Sequence, residues 1–197
     1  MHDALGETLA RRRLKVVLPY VSGRLLDIGC GSNLLVRHHY ANGVGIDVYP
    51  WPGADVIVPD TATLQWESGS FDTITIIAAL NHIPNRTAVL DECRRLLRPG
   101  GRVVITMLTP RTSRIWHWLR APWDSDQRDR GMQPGEVYGF TTQQLLDLFK
   151  RAGFTLLSSR RFMLGLNGVY VFGVDPAAST EARRVQTTSS AALARVS

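Results

Sequence analysis

From about residue 24 to residue 160, short β-branched and aliphatic runs alternate with amphipathic stretches, and this alternation constrains the fold more than any other feature of the chain. Strands separated by helical segments cannot pair as hairpins, so they line up as a parallel sheet with helices laid across it. Residues 5 to 18 carry Leu5, Leu9, Leu14 and Val17 at helical spacing before Pro19, which predicts a leading helix. Strands are predicted at Arg24–Ile28, Val44–Val48, Ala54–Val58, Asp72–Ala78 and Arg102–Met107, with two more at Phe154–Arg160 and Gly168–Val174. Ser32 is expected to cap the second helix, which ends near Asn42-Gly43, and Thr141 or Thr142 to cap the last, which Gly153 closes. Between them a helix from Asn85 to Leu97 is expected to stop at a turn through Pro99-Gly100-Gly101.

Residues 109 to 140 break the rhythm, combining three tryptophans with many charges, glycines and prolines, and read as a lid or acceptor-shaping insertion. From Pro176 the chain is rich in Ala, Ser, Thr and Arg with little to bury, and residues 176–197 read as a disordered tail. Residues 1–175 therefore read as a single domain.

Charge and cysteine content exclude several classes. The net charge of +6 comes almost wholly from arginine, since lysine occurs only at Lys15 and Lys150, and the arginines are scattered. Spread of this kind describes solvated helix faces better than a phosphate-tracking stripe, so nucleic acid is an unfavoured partner. No run approaches the roughly eighteen apolar residues of a membrane span, and the N-terminus lacks the pattern of a signal peptide, so a cytoplasmic protein, monomeric or homodimeric, is expected. Cys30 and Cys93 have neither zinc-site nor redox spacing and read as free thiols, and no metal is expected.

The first strand ends in LLDIGCGSN, residues 25 to 33. Gly29 and Gly31 allow a sharp turn and close approach of backbone to a ligand, in the place where parallel sheets hold nucleotides. A dinucleotide fingerprint needs another glycine where this chain has Leu34, and Asp27 would meet a pyrophosphate poorly while favouring a cationic group. Asp47 closes the second strand in GIDVYP, twenty residues after Asp27, where a carboxylate can accept from both ribose hydroxyls.

Residues 60 to 72, DTATLQWESGSFD, followed by FDTITIIAALNHIPNRTAVLDECRRLLRPGGRVVIT at 71 to 106, resemble the class I S-adenosylmethionine-dependent methyltransferases, in particular those acting on small molecules. The resemblance spans residues 25 to 106. It departs from the pattern at Leu64-Gln65-Trp66, where the family's proline is replaced, and at Ala79 to His82, where the turn typical of many amino-directed nucleic-acid methyltransferases is missing. It implies a Rossmann-like, doubly wound α/β domain with a mostly parallel seven-stranded sheet, an antiparallel last strand and helices on both faces. It also implies S-adenosylmethionine as cofactor, released as S-adenosylhomocysteine. Asp27, Gly29, Cys30, Gly31, Asn33, Asp47, Val48, Asp60, Thr61 and Ala79 would hold it, with Asp60 beside the adenine and Thr61 offering backbone contacts.

The expected reaction is an in-line displacement onto a small-molecule acceptor: a hydroxyl or amine of a metabolite, sugar or lipid-like compound. His82, after the fourth strand, is the candidate general base, or else a structural residue of the turn. Trp116, Trp123 and Tyr138 are candidate acceptor-binding residues, and Glu136 is a second base, an acceptor contact or a lid clasp. Two other readings stay open: an RNA methyltransferase, and a non-catalytic cofactor-binding partner subunit.

Overall fold

The computed structural model describes residues 4–108, 135–137 and 139–174. Its central strands are buried without alternation because both faces are covered. All four residues of β1 (Leu25–Ile28) are buried, as are most of β4 (Phe71–Ile77). That continuous burial is the mark of a parallel sheet between helical layers. Strands β2 (Gly43–Asp47) and β3 (Val56–Ile57) extend it on one side, and β5 (Leu97–Leu108), β6 (Phe154–Phe162) and β7 (Asn167–Val174) on the other. The order is β3-β2-β1-β4-β5-β7-β6. Every pairing is parallel except those of β7, which runs antiparallel between β5 and β6.

Helices pack on both faces. On one, α3 (Arg86–Leu96) and α4 (Thr142–Arg151) bring Val89, Leu90, Leu145 and Phe149 against Leu26, Ile74 and Ile105. Phe149 stacks on Phe172 of β7 at 3.8 Å between ring centroids, which fixes α4 over the antiparallel end of the sheet. On the other face, α1 (Ala4–Val17) and α2 (Leu34–His39) cover Leu25 and Val104 through Leu14, Val17, Leu35 and Val36. Thr141 caps α4 in a reciprocal capping box with Gln144, as its sequence predicts.

Three local expectations are corrected. Ser32 does not cap α2; Asn33 takes that position in a left-handed conformation, φ 57°, and its side chain is committed elsewhere. Pro99-Gly100-Gly101 does not separate α3 from β5 by a free turn. Leu97 already pairs with Phe71, and Arg98 to Gly101 bulge out before Arg102 pairs with Thr73. The predicted Ala54–Val58 strand shrinks to a two-residue ladder on β2. The readings made for 109–134, Tyr138 and 176–197 lie outside the described residues. No described helix is long and apolar enough to cross a membrane.

Candidate functional site

The chain direction reverses its winding between β1 and β4, where strands with neighbours on opposite sides leave a crevice beyond their carboxyl ends. A cleft with about 730 Å³ of atom-free space, partly open to solvent, lies there. It is lined by Gly29 and Gly31 from the turn after β1, Asp47, Val48, Tyr49 and Trp51 after β2, Thr61, and Ala78, Ala79, His82 and Ile83 after β4. A second hollow of about 580 Å³ lies across the same turn, between it and α1, and is lined by Asp27, Gly29, Cys30, Gly31, Ser32 and Arg13 among others.

The glycine turn is shaped for close approach. Gly29 has φ +69°, and a Cβ there would meet that of Ala79 at 2.6 Å. Gly31, φ +54°, has nothing within 4 Å of where its Cβ would stand, so the space above it is open to a ligand. The turn is tied to β2: Gly29 and Cys30 N–H both donate to Ile46 O, and Gly31 N–H donates to Asp47 Oδ2 at 3.0 Å. Asp47 Oδ1 accepts from Tyr49 N–H at 3.0 Å. Each carboxylate oxygen keeps a further acceptor position, so Asp47 can hold the loop and still receive ligand hydroxyls.

Asp27 is 3% exposed. Its Oδ1 accepts a 2.6 Å bond from the Thr75 hydroxyl. Burial raises its pKa to about 7, the Thr75 bond opposes the rise, and the charge of Asp47 adds to it. An anion kept reluctant in this way is best relieved by a cationic partner. Burial and the neighbouring Asp27, Asp47 and Asp55 push the Cys30 thiol up, which argues against a reactive thiolate.

Asn33 and Asp60 are not on the lining of either hollow. Asn33 is fully buried behind the turn and donates to Gly53 O at 3.1 Å and to Asp55 Oδ2 at 2.8 Å, while Asp55 also accepts from Gly45 N–H. It braces the glycine turn against the segment after β2. Asp60 is exposed and accepts from Ala62 N–H and the Asn85 amide. Those bonds, the Ala62 one foremost, hold its pKa low. It clamps Thr61, 5% exposed, at the cleft wall.

Several residues were not singled out from sequence. Tyr49 and Trp51 form an aromatic pair, 4.6 Å between centroids, on the wall beside Asp47; two aromatics directly after a strand-end aspartate were the available signal. Ala78 sits at φ 54°, a conformation costly for a residue with a Cβ, and its N–H is held by Thr106. Nothing in its local sequence reveals that strain. Arg86 also escaped notice. It donates from Nε to Leu80 O and from Nη2 to Asn81 O and Gly135 O, and lies over the Phe140 ring. It thereby joins the His82 turn to residues 135 to 140. Glu136 reaches His82 across this joint, with Oε2 at 3.4 Å from Nδ1.

The residues present suit S-adenosylmethionine: a strand-end carboxylate for hydroxyls, a buried carboxylate for a cation, and open space above Gly31. Among the described residues, the larger cleft is lined by no lysine or arginine.

A family model described as "Methyltransferase domain" matches residues 2–159. Among curated proteins, the chain is 34% identical over 117 residues to a ubiquinone biosynthesis O-methyltransferase of Xanthomonas oryzae pv. oryzae, covering 47% of this chain and 49% of that protein. It is 34% identical over 113 residues to the 27-O-demethylrifamycin SV methyltransferase of Amycolatopsis mediterranei, covering 47% and 42%. The chain thus spans about half the length of the curated relatives it matches. Its fold is shared with a possible histamine N-methyltransferase from Thermotoga maritima, with a TM-score of 0.58, 16% identity, and 81% and 86% of the two chains covered.

Proposed function

This chain belongs to the class I S-adenosylmethionine-dependent methyltransferases, and on that premise we propose that it methylates a hydroxyl or amine of a small molecule. The observation that carries the reading is the cleft itself, in which Asp47, the open face of Gly31 and His82 border one space beyond the ends of β1, β2 and β4. When bound, S-adenosylmethionine supplies a methyl group on a positively charged sulfur, and an acceptor lone pair takes it in line.

The chain's own residues bind, align and move a proton. Asp47 accepts from ribose hydroxyls, Asp27 faces the cationic amino acid end through the glycine turn, and Thr61 with Val48 borders the base, with Asp60 bracing Thr61 from outside. Gly29, Cys30, Gly31 and Ala79 form the floor. Alignment of two reactants contributes roughly 7–11 kcal/mol to such a step, so the protein need add little covalent chemistry. A hydroxyl or amine acceptor must lose a proton, and His82, a quarter exposed at the cleft edge, is placed to take it.

The larger cleft, with no arginine or lysine on its described lining, favours a small acceptor over RNA. The curated relatives, named as a ubiquinone biosynthesis O-methyltransferase and a 27-O-demethylrifamycin SV methyltransferase, support oxygen as the acceptor atom. Incubation with methyl-labelled S-adenosylmethionine and a panel of phenols, hydroxy acids and amines tests the proposal. Label is expected in an extractable organic product. Transfer into RNA alone would overturn the acceptor class.

A further inference from the structure

The Glu136 side chain is 2% exposed, yet it lies within hydrogen-bond reach of a histidine that lines the cleft, 3.4 Å from Oε2 to Nδ1 of His82. Glu136 itself does not line that cleft. The approach is held at both flanks of the glutamate. Val137 N–H donates to Asn81 O at 3.0 Å, and Arg86 Nη2 donates to Gly135 O at 2.8 Å. Asn81 immediately precedes His82, so the segment carrying the carboxylate and the turn carrying the imidazole are fastened together. Burial pushes the Arg86 guanidinium below its ordinary range, and the charge of Glu136 opposes that shift.

An ionised carboxylate only accepts hydrogen bonds, so the ring nitrogen facing it must carry the proton. In a neutral imidazole the other nitrogen is then the base. We propose that Glu136 is a positioning residue that holds His82 in the Nδ1–H tautomer and leaves Nε2, on the opposite ring edge, as the proton acceptor. This rests on the reading of His82 as the base. As the acceptor's lone pair bonds to the methyl carbon, the carbon–sulfur electron pair goes to sulfur, and the acceptor's proton passes to Nε2. The imidazolium so formed keeps its Nδ1–H on the Glu136 carboxylate until the Nε2 proton leaves for solvent.

Two-bond proton–nitrogen correlation spectra of the full chain labelled with 15N-histidine read the tautomer directly, at a pH where imidazole is neutral. Loss of signals in His82→Gln assigns the residue. The Nδ1–H pattern is expected for His82 in the parent, with a change to mainly Nε2–H in Glu136→Ala while S-adenosylhomocysteine still binds. An Nε2–H pattern in the parent overturns the proposal, as does an unchanged pattern in Glu136→Ala. If that variant does not fold, the parent spectrum decides alone. Undiminished turnover by His82→Gln would remove the base role yet leave the tautomer result standing, so the two failures are distinguishable.

Discussion

The Thr75 hydroxyl donates a 2.6 Å hydrogen bond to Asp27 Oδ1, joining the end of β1 to β4 directly beneath the glycine turn. This bond opposes the burial that drives the Asp27 pKa up to about 7. In the unfolded chain the same group titrates near 3.8. The folded state therefore binds more protons at this group between these values, and the Asp27 contribution to the stability of the ligand-free protein falls as pH rises from about 4 to about 7, by up to roughly 4 kcal/mol.

Asp27→Asn keeps the shape and an acceptor for Thr75 while removing the buried charge. Its thermal midpoint, measured without ligand, is expected to exceed the parent's by an amount that grows with pH and levels off above pH 7. Because a cationic ligand group favours the ionised form, S-adenosylhomocysteine should bind the parent several-fold more tightly at pH 8 than at pH 6 (from ~10% to ~90% ionised). Asp27→Asn should bind weakly at both. Equal parent affinity at the two pH values would show that Asp27 does not face the cation.

Glu92 accepts from Leu64 N–H at 2.8 Å and pairs with Arg95, whose guanidinium also holds Leu64 O and Trp66 O. The Arg95 bonds, ahead of the Leu64 bond, keep the Glu92 carboxyl below its ordinary range. A depressed carboxyl stabilises above the unfolded value, and that contribution is lost as pH falls through the folded one. Glu92→Ala should cost about 2–3 kcal/mol at neutral pH by denaturant unfolding, with the gap to the parent narrowing in acid. A pH-independent gap would mean that packing, not the ion pair, anchors residues 64 to 66.

A Cβ on Gly45 would collide with the Asn33 carboxamide, which is buried and bonded on its far side to Gly53 and Asp55. Gly45→Ala should therefore cost about 1–3 kcal/mol through overpacking. Asn33→Gly suits the left-handed φ and empties the space, so the double variant should be more stable than the sum of the two single losses predicts. Strict additivity would show that the strain is relieved elsewhere.

The order of the fold was legible because aliphatic runs recur along β1, β2, β4 and β5 with amphipathic stretches between them, and β1 and β2 end in a glycine turn and an aspartate. The glycine turn, Asp47 and His82 could be located for the same reason, since each lies at or shortly beyond the carboxyl end of a strand. What could not be read were partners far apart in sequence. Asn33 looks like a loop amide, but its bonds run to Gly53 and Asp55, so it braces the loop from behind. Asp60 reads as a carboxylate after a proline, but its bonds to Ala62 N–H and, 25 residues on, to the Asn85 amide are not legible there. The sequence marks Glu136 as a charge beside two glycines and a proline; that it is buried against His82, 54 residues away, follows only from the Arg86 joint. Ser32 reads as a local cap, whereas the cap position falls on Asn33, whose amide is bonded across the loop to Gly53 and Asp55.

Calorimetric titration of the parent and of Asp47→Ala with S-adenosylhomocysteine tests the central claim most directly. Asp47 both fixes the turn through Gly31 and offers its remaining acceptor positions to the ligand. Losing two hydrogen bonds to a charged acceptor should weaken binding at least about a hundredfold. Saturable one-to-one binding is expected for the parent, with near loss of it in Asp47→Ala and the fold retained. No binding by the parent at millimolar ligand, or equal affinity in both proteins, would contradict it.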